Sequence, residues 1–409
     1  MNRILITAAF LLQLSVVFAQ QLHPLQVLDD LENQQKWVDS VYNSLTLEQR
    51  VGQLFMVDLF SSDPKANVDR VRRLITDHHI GGVIFSKGGP GRQAKITNDF
   101  QKAAKVPLMI AMDAEWGLAM RLDSTFAFPW NMTLGAIEDP QLIYKVGKRI
   151  GEHNKRMGVH INFAPVVDIN TNPNNPIIGN RSFGEDKENV TLKSAAFMQG
   201  IQSAGVLANA KHFPGHGDTD TDSHKTLPTI SFSQQRIDSV ELHPYRHLFS
   251  RGLASVMVAH LNVPALEPRQ NFPSTLSKPI VTDLLKHQMG FQGLIFTDAL
   301  NMKGVSNYTT PGEVDLAAFK AGNDVLLISE NVPRAISLIV ESYKKGEITE
   351  ERLEHSVKKI LMAKYKVGLN KYKPINTRYL YEELNTALDH KLYEELVENA
   401  ITVVKNSKE

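Results

Sequence analysis

From about residue 45 to residue 368 the sequence alternates short apolar runs with longer amphipathic segments, and no other feature of it limits the fold as strongly. The apolar runs cover residues 54–59, 82–85, 108–112, 160–164, 206–210, 255–259, 294–297 and 325–328. Each has the length of a strand. Between them, apolar side chains recur at helical spacing, as at Leu142, Ile143, Val146 and Ile150 after Asp139-Pro140, a pair suited to a helix N-cap and first turn. Apolar strands separated by helices predict a parallel sheet with its outer face covered. An open, doubly wound sheet would show the same rhythm.

The strand ends favour a closed barrel. Asp58, Lys87, Asp113, Asp168, Lys211 with His212, His260 and Asp298 each fall at or just past the C-terminal end of a different run. In a barrel they would converge on one mouth, where enzymes of this architecture build their active sites. The predicted fold class is therefore α/β, a (β/α)8 TIM barrel, over residues 45–370. Residues 20–44 lead into it. After the eighth strand, residues 332–343 and a helix carrying Leu353, Val357, Ile360 and Leu361 are placed to close the barrel, stopping near Gly368. Ser356-Val357-Lys358-Lys359 has the spacing of a Ser-x-x-Lys motif, but Val357 belongs to the apolar stripe, so the segment reads as an exposed helical face. Gly88-Gly89-Pro90-Gly91 lacks the Lys-Ser/Thr ending of a phosphate loop and reads as a turn.

The first nineteen residues stand apart. Asn2 and Arg3 precede an apolar run to Phe18, shorter than the ~20 residues of a membrane span, with cleavage expected after Ala19. This is the pattern of a signal peptide, and it predicts a secreted or periplasmic location. Later apolar runs are all interrupted by polar residues, so no membrane span is expected. The 409 residues include no cysteine, which excludes disulfides, thiol catalysis and cysteine metal sites. With 45 basic against 44 acidic side chains and no basic stripe, nucleic-acid binding is not expected. At the other end, residues 371–409 read as a linker and a further helix running into a strand at 400–406, which predicts the opening of a following domain.

Chemistry is densest in residues 211–224, where three histidines and three aspartates follow the fifth run. His212 and His216 have the i, i+4 spacing of zinc-binding helices, but Pro214 and Gly215 argue against a helix there. Two readings stay open. One is a metal site. In the other, Lys211 and His212 are fixed substrate ligands and the loop carries Asp222-Ser223-His224, where a carboxylate two residues from an imidazole can orient it and favour its protonated form. His216 reads equally well as a loop residue and a functional one. A second segment, residues 293–302, is an apolar strand that delivers one carboxylate, Asp298, to the barrel mouth.

Together the Lys-His pair, the Pro-Gly-His-Gly turn, the Asp-Ser-His ending and the segment from Thr297 to Met302 resemble glycoside hydrolase family 3, in its β-N-acetylglucosaminidase (NagZ-like) branch. The resemblance extends over about residues 45–368 and includes Arg181-Ser182-Phe183-Gly184 and Pro165-Val166-Val167-Asp168. It implies a retaining, exo-acting hydrolase of terminal β-linked N-acetylglucosamine in peptidoglycan fragments or chito-oligosaccharides, with no metal and no organic cofactor. It further implies Asp298 as nucleophile, His224 as acid/base and Asp222 as its partner, with Asp113, Arg121, Arg181, Lys211 and His212 binding the sugar. The chain departs from the family pattern after Asp113, where Trp116 adds an aromatic and Leu118 removes a cation; this bears on the aglycone. A phosphorylase on the same scaffold and a non-catalytic sugar-binding barrel are the rival readings.

Overall fold

The computed structural model describes residues 23–222 and 225–403. The expected signal peptide, His224 and the last part of the expected strand at 400–406 lie outside the described residues.

All eight expected strands form, and all pair in parallel: β1 (Phe55–Phe60), β2 (Gly82–Lys87), β3 (Met109–Met112), β4 (Ile161–Asn162), β5 (Leu207–Phe213), β6 (Ser255–Val258), β7 (Leu294–Thr297) and β8 (Leu326–Leu327). They lie in the order β7-β6-β5-β4-β3-β2-β1-β8. The ring closes where a parallel bridge joins Phe296 to Val325, with Val325 N donating to Ile295 O at 3.0 Å and Thr297 N to Val325 O at 3.0 Å. This is the (β/α)8 barrel that the alternation predicts.

Two strands keep only two residues of their apolar runs. The pairing of β3 with β4 ends at Asn162, because its side chain takes over the next step: Nδ2 donates to Ala114 O at 3.1 Å and Oδ1 accepts from Ala114 N at 3.0 Å. β8 stops at Leu327 because Ile328 turns into the left-handed region, at φ 53°. A β-branched residue pays for that conformation, and Ile328 faces the cavity described below. β5 instead runs past its apolar run to Phe213, so Lys211 and His212 lie within the strand.

The helices cover the barrel as the periodicity requires. Helix Pro140–Arg156 begins with the Asp139 side chain accepting from Gln141 N at 2.9 Å, and buries Leu142, Ile143, Val146 and Ile150. Each such burial contributes about 1.5–3 kcal/mol. Its neighbour, Lys187–Ser203, approaches closely because both carry glycine at the contact. A Cβ on Gly147 would stand 2.4 Å from Phe197 O, and one on Gly200 would stand 2.3 Å from Tyr144 O.

The segment from Ser356 to Lys359 corrects an expectation. It lies in helix Glu350–Lys366, and Ser356 and Lys359 are buried rather than solvent-facing. That helix packs against β7 and against helix Leu31–Asn43, so more of its circumference is covered than one apolar stripe indicates. Lys359 Nζ lies 2.6 Å from Asp324 Oδ2 and Ser356 Oγ donates to Asp324 Oδ1 at 2.5 Å. Asp324 in turn accepts from Ile295 N at 3.0 Å, fixing β8 to β7. Burial would push the Asp324 carboxyl up, but Lys359, Lys286 and Arg352 outweigh it and hold it well below the usual range.

The turn expected at residues 88–91 is confined to Gly88 and Gly89, since Pro90 opens helix Pro90–Ala103. At the C-terminal end, helix Ala387–Ala400 is followed by residues 401–403 without regular structure, so no strand begins at Ala400 among the described residues. No helix of the described residues is long and apolar enough to cross a membrane.

Candidate active site

A cavity of about 380 Å³ opens among the C-terminal strand ends, and six of the eight expected site residues line it: Asp113, Arg121, Arg181, Lys211, His212 and Asp298. They arrive from β3 and its loop, the loop after β4, β5 itself, and the end of β7. Lys211 and His212 both reach the cavity although they are consecutive, because the register of β5 against β6 shifts between Ala210 and Phe213. No helix joins His212 to His216, in keeping with Pro214 and with Gly215 at φ 135°. Among the described residues no group of three or more His, Asp or Glu side chains is arranged to hold a metal ion.

The charged side chains form one chain of contacts. Arg121 Nη2 donates to Asp113 Oδ2 at 2.7 Å, and Lys211 Nζ donates to Asp113 Oδ1 at 2.7 Å. Lys211 Nζ also lies 2.8 Å from Glu115 Oε1. Arg181 grips the same carboxylate from the other side, with Nη2 2.8 Å from Oε1 and Nε 3.0 Å from Oε2. Arg181 Nη2 also stands 3.4 Å from His212 Nε2, and His212 Nδ1 stands 2.7 Å from Asp168 Oδ2. The pairing assigns the proton to Nδ1, leaving Nε2 to accept from Arg181. Asp168 Oδ1 accepts from His216 N at 2.8 Å, and the His216 ring lines the cavity.

Each carboxylate of this chain is held ionised. Burial would raise Asp113, but Lys211 and Arg121 bring it well below the ordinary range. Glu115 is likewise buried, yet Arg181 and Lys211 lower it to about 2. Asp168 is lowered against its burial by His212 and by the hydrogen bonds it accepts. Asp298 is half-buried at the cavity wall, and against the effect of that burial it is lowered by His260, His212, the Ala299 N–H at 2.8 Å and Lys211. For His216, burial and the neighbouring His212 lower the ring to about 4, so it is neutral at pH 7.

The remaining strand-end residues divide. His260 is buried behind the cavity, with Nδ1 2.7 Å from Thr275 Oγ1 and Nε2 3.0 Å from Ala299 O. Asp58 and Lys87 are not among the lining residues. Neither is Asp222, whose backbone carbonyl accepts from Lys225 N and Thr226 N, both at 3.0 Å, and whose carboxylate lies 3.8 Å from Lys225 Nζ. His224 lies outside the described residues. Trp116 does not face the cavity either: its ring stacks on Trp130 at 4.5 Å and 8°.

Glu115 is the site residue that sequence reasoning passed over. The signal was its spacing from Asp113, since residues two apart on an extended chain project to the same side.

The family model for the glycosyl hydrolase family 3 N-terminal domain matches residues 46–363. The chain belongs to glycosyl hydrolase family 3. This family 3 barrel is 32% identical over 407 residues to beta-hexosaminidase A from Pseudoalteromonas piscicida, an alignment covering 88% of this chain and 68% of that one. It is also similar to a solved family 3 beta-N-acetylglucosaminidase from Paenibacillus sp. str. FPU-7, with a TM-score of 0.82 and 37% identity over 90% of this chain and 71% of that one. Beta-glucoside phosphorylase BglX superposes with a TM-score of 0.85 at 26% identity, covering 92% of this chain and 68% of its own.

Proposed function

We propose that this family 3 barrel is a retaining, exo-acting β-N-acetylglucosaminidase that removes terminal β-linked N-acetylglucosamine from peptidoglycan fragments or chito-oligosaccharides. The observation that carries the reading is an ionised carboxylate, Asp298, at a strand end inside a cavity lined by Asp113, Arg121, Arg181, Lys211 and His212. A sugar presents hydroxyl and amide groups that suit such a set. Arg121 Nε is buried there with no hydrogen-bond partner, a donor that a sugar oxygen would satisfy.

The chemistry follows from those assignments. Asp298 attacks the anomeric carbon as the glycosidic C–O bond breaks, and the departing oxygen takes a proton from His224. The neutral imidazole then removes a proton from water, which attacks the same carbon and releases Asp298. Two inversions give net retention. Asp222 favours the imidazolium and orients it.

When the acceptor attacks, Asp298 is esterified and uncharged, so Arg121, Arg181 and Lys211 stand against three carboxylates, Asp113, Glu115 and Asp168, and the charge of the cavity does not choose between water and phosphate. The likeness to a solved beta-glucoside phosphorylase makes phosphorolysis the second reading. The arrangement of residues 1–19 supports an exported enzyme.

The test compares kcat/KM on an aryl β-N-acetylglucosaminide and the matching β-glucoside, with products identified by mass in phosphate buffer. A preference of roughly 100-fold or more for the acetamido substrate is expected, because polar groups aimed at the acetamide would otherwise be left unpaired. The expected product is free N-acetylglucosamine. Equal rates would move the chain to glucosides, and a sugar 1-phosphate would make it a phosphorylase.

A further inference from the structure

Outside the assigned set, the buried group that touches most of it is Glu115. Its side chain is fully buried, and it shares one oxygen between Lys211 and Arg181 while its second oxygen completes a two-point grip on the guanidinium. An inventory of donors shows what that grip does. Arg181 has five N–H groups. Nε and one hydrogen of Nη2 go to Glu115, the second hydrogen of Nη2 goes to His212 Nε2, and one of Nη1 goes to Ile177 O at 3.1 Å. One N–H is left. Lys211 has three: Asp113 accepts one, and the ion pair with Glu115 Oε1 at 2.8 Å engages a second, so again one is left. Both residues line the cavity, where a bound sugar would meet them.

We propose that Glu115 is a positioning residue: by consuming the other donors of Lys211 and Arg181, it presents to the sugar one N–H from each, in a fixed direction. This rests on the reading of the cavity as an N-acetylglucosamine site. It deepens that reading, because it locates the selectivity of the two cations in a carboxylate that need not touch the substrate. Without it, Lys211 and Arg181 would keep their charge and lose their direction, and they would bind hydroxyl and amide oxygens with little preference. Charge alone attracts, whereas a bidentate carboxylate clamp sets geometry.

Three measurements test the inference. Glu115→Gln keeps the shape of the side chain, and it should lower the preference for N-acetylglucosamine over glucose, measured as the ratio of their dissociation constants, by about tenfold or more. KM for the aryl N-acetylglucosaminide should rise more than kcat falls. In an Arg181→Ala background the same change should have a smaller effect, since one of the two residues it acts through is gone and only Lys211 remains. An unaltered preference in folded Glu115→Gln, or an effect as large without Arg181 as with it, would overturn the proposal. The third measurement needs no variant. In a crystal structure of the unaltered protein with N-acetylglucosamine bound, Arg181 and Lys211 should keep their bonds to Glu115 and each give a single N–H to the sugar. A complex in which Arg181 leaves Glu115 to bind the sugar would also overturn it. If the unaltered protein shows no preference for the acetamido sugar, the N-acetylglucosaminidase reading fails. A complex with whichever sugar it does bind then still decides whether Glu115 holds the two cations.

Discussion

Asp168 holds His212 at two points: its carboxylate accepts from the His212 backbone N–H at 3.2 Å and lies 2.7 Å from ring Nδ1. The second contact fixes the tautomer, and so leaves Nε2 as an acceptor for Arg181. Asp168→Ala removes both and frees the ring to rotate. Hydrogen bonds to charged groups contribute about 1.5–3 kcal/mol, so kcat/KM on an aryl N-acetylglucosaminide is expected to fall roughly 10–100-fold. Steady-state kinetics on the folded variant checks this. A variant within twofold of the parent would show that His212 keeps its orientation without Asp168.

Asp298 is the second test. Asp298→Asn and Asp298→Ala should each abolish nearly all turnover while circular dichroism and thermal midpoint stay close to those of the parent, because among the described residues the other carboxylate lining the cavity, Asp113, is tied to two cations. Asp113 is bonded to Lys211 and Arg121, and Glu115 to Lys211 and Arg181. Retained turnover would require a different nucleophile. The lowered pKa of Asp298 adds a pH expectation: the acid limb of kcat/KM due to this group lies below the ordinary range for aspartate.

The sequence exposed the barrel because each strand is bounded by an amphipathic helix, a periodicity that survives without any structure. It exposed Asp113, Lys211, His212 and Asp298 for a related reason: an ionisable residue ending an apolar run has few roles except at the mouth. Glu115 was legible only through its spacing of two from Asp113, because its importance lies in Lys211 and Arg181, which are distant in the chain. Lys359 was hidden for a different reason. On a helix it reads as solvent-facing, and only the position of Asp324 across the β7–β8 closure shows why it is buried. Asp58 and Lys87 show the limit of the strand-end rule, since both stand at such ends and neither lines the cavity.

Asp315 gives a pH-dependent test of stability away from the cavity. It is buried in helix Glu313–Ala321, and its Oδ1 has no hydrogen-bond partner. Burial raises its carboxyl to about 6, against the ordinary 3.8, although the Ser329 side chain and nearby backbone N–H groups oppose the shift. Between those values the folded chain holds a proton that the unfolded chain has released. Stability from this group is therefore complete below pH 3.8 and is lost as pH rises through 6. Asp315→Asn mimics the protonated form. It should match the parent near pH 4 and exceed it above pH 6, by up to about 3 kcal/mol, in urea unfolding followed across that range. A difference that does not vary with pH would show that the carboxyl titrates normally.

The acid/base assignment is best probed through the leaving group, because a poor leaving group needs a proton before it departs and an acidic phenol does not. His224→Ala should therefore lose far more activity on chitobiose than on a substrate releasing an acidic phenol. General acid–base help is typically worth ~10²–10⁴-fold, so the gap between the two substrates should be of that order. Asp222→Ala should lose less and in the same direction, since it removes a carboxylate that favours the imidazolium but leaves the ring in place. That carboxylate lies 3.8 Å from Lys225 Nζ and its side chain is 22% exposed, so its influence on a neighbouring charge is screened by solvent and its removal should cost about tenfold or less. Both variants should keep the selectivity for the acetamido sugar, which is assigned to Lys211, Arg181 and Glu115. Equal losses on the two substrates would make His224 a binding residue, and the proton donor would then have to be a loop carboxylate.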